Sequence, residues 1–201
     1  MRTLNRLIAV TFAGAALACA GCSASHSSQP LGAPQMLADA GGGFGDVKSA
    51  IAIIHPTEGH KATGTVLFTQ EADGVKVVAH LTGLAPGKHG FHIHEYGDCS
   101  DMAKADSAGG HYDPEGTHHH ALPEKGGAHH AGDMGNISAN GRGEATLETT
   151  LTGVTIAGDK DPILGRSVIV HEKPDTGAQP TGDAGGRLGC GVIGVANPKT
   201  K

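Results

Sequence analysis

From residue 50 onward the chain is built from short runs, four to nine residues long, in which apolar and polar positions alternate or β-branched residues cluster. Ala50-Ile-Ala-Ile-Ile-His55 is the first. Thr63-Gly-Thr-Val-Leu-Phe-Thr-Gln70 and Val75-Lys-Val-Val-Ala-His-Leu81 follow, joined by Glu71-Ala-Asp-Gly74, and Asp-Gly between two such runs predicts a hairpin. His89-Gly-Phe-His-Ile-His94 alternates strictly after the turn Pro86-Gly87. Because side chains alternate across a strand, His92 and His94 share one face, while Phe91 and Ile93 share the other. Gly143 to Leu151, Ser167 to Val170 and Cys190 to Val195 supply three more strand candidates. No segment after the N-terminal leader holds a 3.6-residue apolar period, so the pattern predicts an all-β domain of about eight strands, an antiparallel sandwich or barrel. Two intervals, about Tyr96 to Ile137 and Glu172 to Arg187, are too long for hairpin turns. They hold most of the His, Asp and Gly, which marks them as functional loops.

The N-terminal region has a different pattern. Arg2 and Arg6 precede an uncharged apolar run from Leu7 to Ala18, shorter than the ~20 residues a spanning helix needs, and small residues follow. Residues 1–21 therefore read as a secretory signal. Cys19-Ala-Gly-Cys22-Ser resembles the processing site of bacterial lipoproteins, with Cys22 as the lipid-bearing residue and Cys19 as the alternative. Residues 22–45, rich in Ser, Ala, Gly and Pro, read as a flexible tether, and residues 46–201 as the folded domain. The expected location is the periplasm or cell envelope, with membrane contact only through the N-terminal lipid.

Composition sharpens the functional question. Lys plus Arg is 15 against 20 Asp plus Glu, so the net charge is −5, and −7 once Arg2 and Arg6 are removed. That balance offers no general attraction to nucleic acid or an anionic surface. The anomaly is 14 histidines against four cysteines, with nine of the histidines between His89 and His130. His92-x-His94 on one strand face suits a chelating pair for a first-row ion. A histidine among turn residues in Gly109-Gly-His-Tyr-Asp-Pro114, the run His118-His-His120, His129-His-Ala-Gly-Asp133 and the strand-ending Val170-His171 extend the metal signal.

Five of these segments together resemble the copper/zinc superoxide dismutases in family order. They are His89-Gly-Phe-His-Ile-His-Glu-Tyr-Gly-Asp98, Gly110-His-Tyr-Asp-Pro114, His130-Ala-Gly-Asp-Met-Gly-Asn136, Val168-Ile-Val-His-Glu-Lys173 and Gly186-Arg-Leu-Gly-Cys-Gly-Val-Ile-Gly194. The resemblance runs from about Ala50 to Ala196 and implies a Greek-key β-sandwich or barrel. It implies copper held by His92, His94, His111 and His171, and zinc held by His111, His120, His130 and Asp133, with His111 bridging. For the third zinc ligand, counting forward from His111 reaches His119, while matching the turn His-Ala-Leu-Pro123 favours His120, the preferred assignment. Asp175 corresponds to the carboxylate that links a copper histidine to a zinc histidine. Arg187 corresponds to the arginine that attracts and holds the superoxide anion, and Cys99 and Cys190 to the family's disulfide. His89 is expected to secure the strand-to-loop geometry through a backbone hydrogen bond; His26, His55, His60 and His80 match no ligand position. The segment from His171 to Arg187 is short beside eukaryotic members and holds few of their loop charges. The implied activity is dismutation of superoxide to O2 and H2O2 in defence of the cell envelope, and a homodimer is compatible with the sequence. A metal buffer or copper-delivery module on the same scaffold is disfavoured by Arg187 and by the lack of a Cys-x-x-Cys motif after the leader. A copper-only relative is disfavoured by His120, His130 and Asp133.

Overall fold

The protein is described by a computed structural model over residues 47–198; the expected leader, the lipid site at Cys22 or Cys19 and the whole of the tether lie outside the described residues. Nine strands run β1 (Ser49–Pro56), β2 (Thr63–Gln70), β3 (Gly74–Thr82), β4 (Gly87–His94), β5 (Asp133–Ala139), β6 (Ala145–Thr152), β7 (Ser167–His171), β8 (Arg187–Val192) and β9 (Gly194–Val195). Their order in space is β2-β3-β6-β5-β4-β7-β8-β1-β9, and β1 also pairs with β2. All these ladders are antiparallel. The β1–β2 ladder, with Ile51 opposite Leu67, closes eight strands into a barrel and removes the free edges; β9 is a two-residue addition on β1. The neighbours β3–β6 and β4–β7 are distant in sequence, which gives the barrel its Greek-key character.

The alternating pattern explains the core. Ala50, Ala52 and Ile54 of β1, Val66 and Phe68 of β2, and Phe91 and Ile93 of β4 point inward and are fully buried. The predicted strands appear close to their expected positions, including the β2–β3 hairpin with Gly74 at its turn. One expectation requires correction. The interval taken as a loop up to Ile137 ends at Asp133, where β5 begins. Asp-Met-Gly-Asn-Ile-Ser-Ala has little intrinsic strand character, so its extended state comes from pairing with β4 and β6 rather than from local preference. The β4–β5 ladder carries an irregularity between Gly90 and His92, after which His92 faces Asp133. Such a bulge re-aims side chains beside a site.

A second small apolar cluster, Ala105, Ala108, Ile169 and Cys190, packs against Cys99 outside the barrel. The disulfide Cys99–Cys190 ties the loop after β4 to β8 at that point, with the Cα atoms 5.8 Å apart. This loop and the one between β7 and β8 cover one face of β4 and β7, and all the chemistry lies beneath them.

Candidate metal centre

His92 and His94 leave β4 on the face opposite Phe91 and Ile93, as the alternation requires, and both are buried. His171 ends β7, the neighbour of β4. His111 is brought in by a single β-bridge to His94. The four form one buried group whose potential ligand atoms lie within 4.8 Å of one another.

The hydrogen bonds reveal which nitrogens are left over. His94 Nδ1–H donates to the Gly109 carbonyl (3.0 Å) and His171 Nδ1–H to the Gly185 carbonyl (3.3 Å). Their Nε2 atoms, now bare lone pairs, face one another at 3.3 Å. His92 Nε2–H donates to Asp175 Oδ2 (2.9 Å), which leaves its Nδ1 buried without a partner. Burial lowers the pKa of His92, and lowers those of His94 and His171 strongly. Burial also pushes His111 down to about 4, against the pull of the nearby Asp133 carboxylate. Four neutral imidazoles with converging lone pairs and no proton to share are a set that a cation completes, and an all-nitrogen set suits a first-row ion such as copper.

The second group is His111, His120, His130 and Asp133. Asp133 Oδ1 lies 2.8 Å from His111 Nδ1 and 3.3 Å from His130 Nδ1. His120 Nδ1 lies 3.0 Å from Asp133 Oδ2 and is buried without a hydrogen-bond partner. Three imidazoles with one carboxylate, their ligand atoms within 4.8 Å of one another, fit tetrahedral zinc. Burial raises the Asp133 pKa, but the three imidazoles outweigh it and hold the carboxyl well below its usual range. For His120 burial acts downward, and Asp133 and Asp175 together reverse it, raising the ring to about 9.

Asp175 connects the groups. Its Oδ2 accepts from His92 and its Oδ1 from His120 Nε2, each at 2.9 Å. Gly182, with φ of +78°, passes so close that a Cβ there would collide with the Asp175 carboxylate and the His120 ring. Arg187 opens β8 directly across from His171. Its guanidinium donates to the carbonyls of Ala105 (2.6 Å) and Gly109 (2.7 Å), so the carbonyl that orients His94 also holds Arg187. A cavity of about 160 Å³ is lined by His94, His111, His171, Thr181, Asp183 and Arg187 and reaches none of His120, His130 and Asp133.

The structure thus brings together every histidine and aspartate expected at the site, together with Arg187. His120, 1% exposed, enters it, while His118 and His119 are exposed. His129 is half-buried and bonds the carbonyl of His130. His55, His60 and His80 are exposed, and His26 lies outside the described residues. His89 bridges two carbonyls, those of His171 and Ala85, at 2.8 Å each. Two amides escaped sequence reasoning. Asn136 donates to the Asp175 carbonyl (2.9 Å) and accepts from the Asp175 N–H (2.7 Å). Gln179 donates to the His120 carbonyl (2.7 Å) and accepts from the His120 N–H (3.0 Å). Asn136 ends a motif that was legible, whereas no local signal marks Gln179.

A family model described as copper/zinc superoxide dismutase (SODC) matches residues 62–193. Among solved structures the chain resembles one described as the clock protein EA4, with 37% identity and a TM-score of 0.68, over 77% of this chain and 99% of that one.

Proposed function

Because the chain belongs to the copper/zinc superoxide dismutase family, we propose that His92, His94, His111 and His171 hold its copper, that His111, His120, His130 and Asp133 hold its zinc, and that His111 bridges the two. When bound, copper supplies the one-electron couple by which two superoxide anions and two protons become O2 and H2O2, while redox-inert zinc supplies fixed positive charge. The chain's own residues do the rest. The Gly109 and Gly185 carbonyls fix which nitrogen of His94 and of His171 is free. Asp175 does the same for His92 and His120 at once. Arg187 gives the cavity a cation held in place by two backbone carbonyls, which favours a small anion there over water. His111 turns Nδ1 to Asp133 and its other nitrogen to the first group.

The observation that carries this reading is one buried histidine shared between a four-nitrogen group and a three-nitrogen, one-carboxylate group, beside a cavity closed by Arg187. Metal analysis with a superoxide-consumption assay tests it. One copper and one zinc per chain are expected, with activity removed by copper chelation and restored by copper. Full metal loading without superoxide consumption would instead identify a metal-storage module.

The leader supports a location in the cell envelope, where the protein would intercept superoxide before it reaches envelope components, with a lipid on Cys22. Cys22→Ser should move the mature protein from membranes to the soluble fraction. Retention on membranes would transfer the lipid to Cys19 or exclude it.

A further inference from the structure

Three histidines stand in a row at 118–120, of which only His120 is buried; His118, with φ of +50°, turns the chain through the left-handed region two residues before it. Nothing in the side-chain chemistry distinguishes the three. The flanks of the run are held by carboxylates: Asp113 accepts from the N–H groups of Thr117 and His118, and Asp133 from that of Ala121. Residue 120 itself is held differently. Both of its backbone groups are taken by one side chain, Gln179, which reaches across 59 positions of sequence from the loop between β7 and β8.

We propose that Gln179 is a positioning residue that selects His120, out of the run 118–120, as the zinc-side histidine. A carboxamide presents one donor and one acceptor side by side, so it matches the N–H and C=O of a single extended residue and rejects a chain displaced by one. The same loop carries Asp175, which receives His120 Nε2, and Gly182, which closes over that contact. Backbone and ring of His120 are therefore gripped by a single loop. The loop is itself braced by Thr176 N–H to the Gly182 carbonyl (2.9 Å) and by Gly182 N–H to the Ala178 carbonyl (2.6 Å). The short β7–β8 loop thus acts on the zinc side as a template for register, in addition to lining the cavity.

This inference rests on the reading of His120 as a zinc ligand, and the experiment separates the two. Zinc affinity is measured by chelator competition on the full protein, and the spectrum of a cobalt-substituted zinc site is recorded beside it. In the otherwise unaltered protein, His120→Ala should lower affinity by more than the about 10–100-fold typical of an outer-sphere loss, and His119→Ala should be silent. Gln179→Ala should lower affinity by about tenfold or more and change the cobalt spectrum. In that background His119→Ala should become costly, because His119 then shares the ligand position. Gln179→Glu keeps the size of the side chain and the acceptor for the His120 N–H but sets a carboxylate oxygen against the His120 carbonyl, so it should lower affinity at least as far as Gln179→Ala, which separates lost pairing from lost bulk. Zinc affinity of Gln179→Ala within twofold of the parent, or an equally silent His119→Ala in both backgrounds, overturns the role of Gln179. An His120→Ala protein with unchanged zinc affinity overturns the ligand reading instead.

Discussion

The two histidine groups share His111 and lie under the same loops, yet their electrostatics are opposite. The four-histidine group, the copper side in our proposal, has no carboxylate among its members: burial depresses His92, His94, His111 and His171, and the carbonyls of Gly109 and Gly185 or Asp175 orient all but His111. It opens to a cavity with Arg187 at its wall. The zinc-side group is built around Asp133, contacts Asp175 through His120, and is closed by the loop that carries Gln179 and Gly182. One imidazole chemistry therefore yields a neutral, accessible site and a charge-balanced, sealed one. The difference is set by Asp133, which belongs to the second group and faces three of its rings, whereas in the first group His94 and His171 meet only backbone carbonyls. A buried site that borders a cavity serves exchange with a small anion, and one without that opening serves permanence.

The largest expected effect separates the groups outright. His94→Ala removes a nitrogen that only the copper side uses, so activity should fall by more than ~100-fold while zinc content persists, read from metal analysis and superoxide consumption on the same sample. Equal loss of both metals would dissolve the distinction. Asp175→Asn strikes the one side chain shared behind both groups, at His92 and His120. Affinity for both metals should drop by about 10–100-fold, in contrast to the one-sided His94 variant, and competition titrations with each metal would decide it.

A smaller effect tests the open side alone. Arg187→Glu reverses the cavity's cation, and the rate constant with superoxide at low salt should fall about tenfold or more with copper and zinc retained. Arg187→Lys should lose less, because it keeps the charge and gives up the forked hold on Ala105 and Gly109. Full activity in Arg187→Glu with both metals bound would make Arg187 a bystander.

The smallest effect distinguishes the groups by pH in the metal-free protein. The copper-side rings have folded pKa values below their ordinary 6.5, with His111 at about 4. As pH falls below 6.5 the unfolded chain gains protons that the folded state refuses, so stability is lost on the acid side. Asp133 and Asp175, depressed by their imidazole partners despite burial, act in the same direction below ~3.9, near their ordinary value. His120, raised to about 9, contributes stability that is fully present below 6.5 and lost as pH rises through 9. Thermal denaturation should show a maximum near pH 6.5, with limbs on the order of 3–5 °C per pH unit for each proton involved. A profile without an alkaline limb would show that His120 is not paired with the carboxylates in solution.

Much of this was legible beforehand for identifiable reasons. The strands of the core follow from alternation, because Phe91 and Ile93 must turn away from His92 and His94 on any strand. The metal signal follows from histidines too numerous and too clustered for packing, and the five motifs order them. β5 was missed because Asp133-Met-Gly-Asn136 carries ligand and contact residues where a strand would otherwise carry β-branched ones.

The all-β barrel was thus legible in the strand pattern, the family in five motifs, and the candidate ligands in the resemblance those motifs carry. Those properties reside in residue type and local spacing, which a linear pattern carries. The folded chain adds what that reading lacked: the burial of His120 beside exposed His118 and His119, the one carbonyl that orients His94 and Arg187 together, and the hold of Gln179 on residue 120. These depend on hydrogen bonds between segments tens of residues apart. Such bonds are directional and short, so a register change of one residue destroys them while leaving the composition and the motifs unchanged.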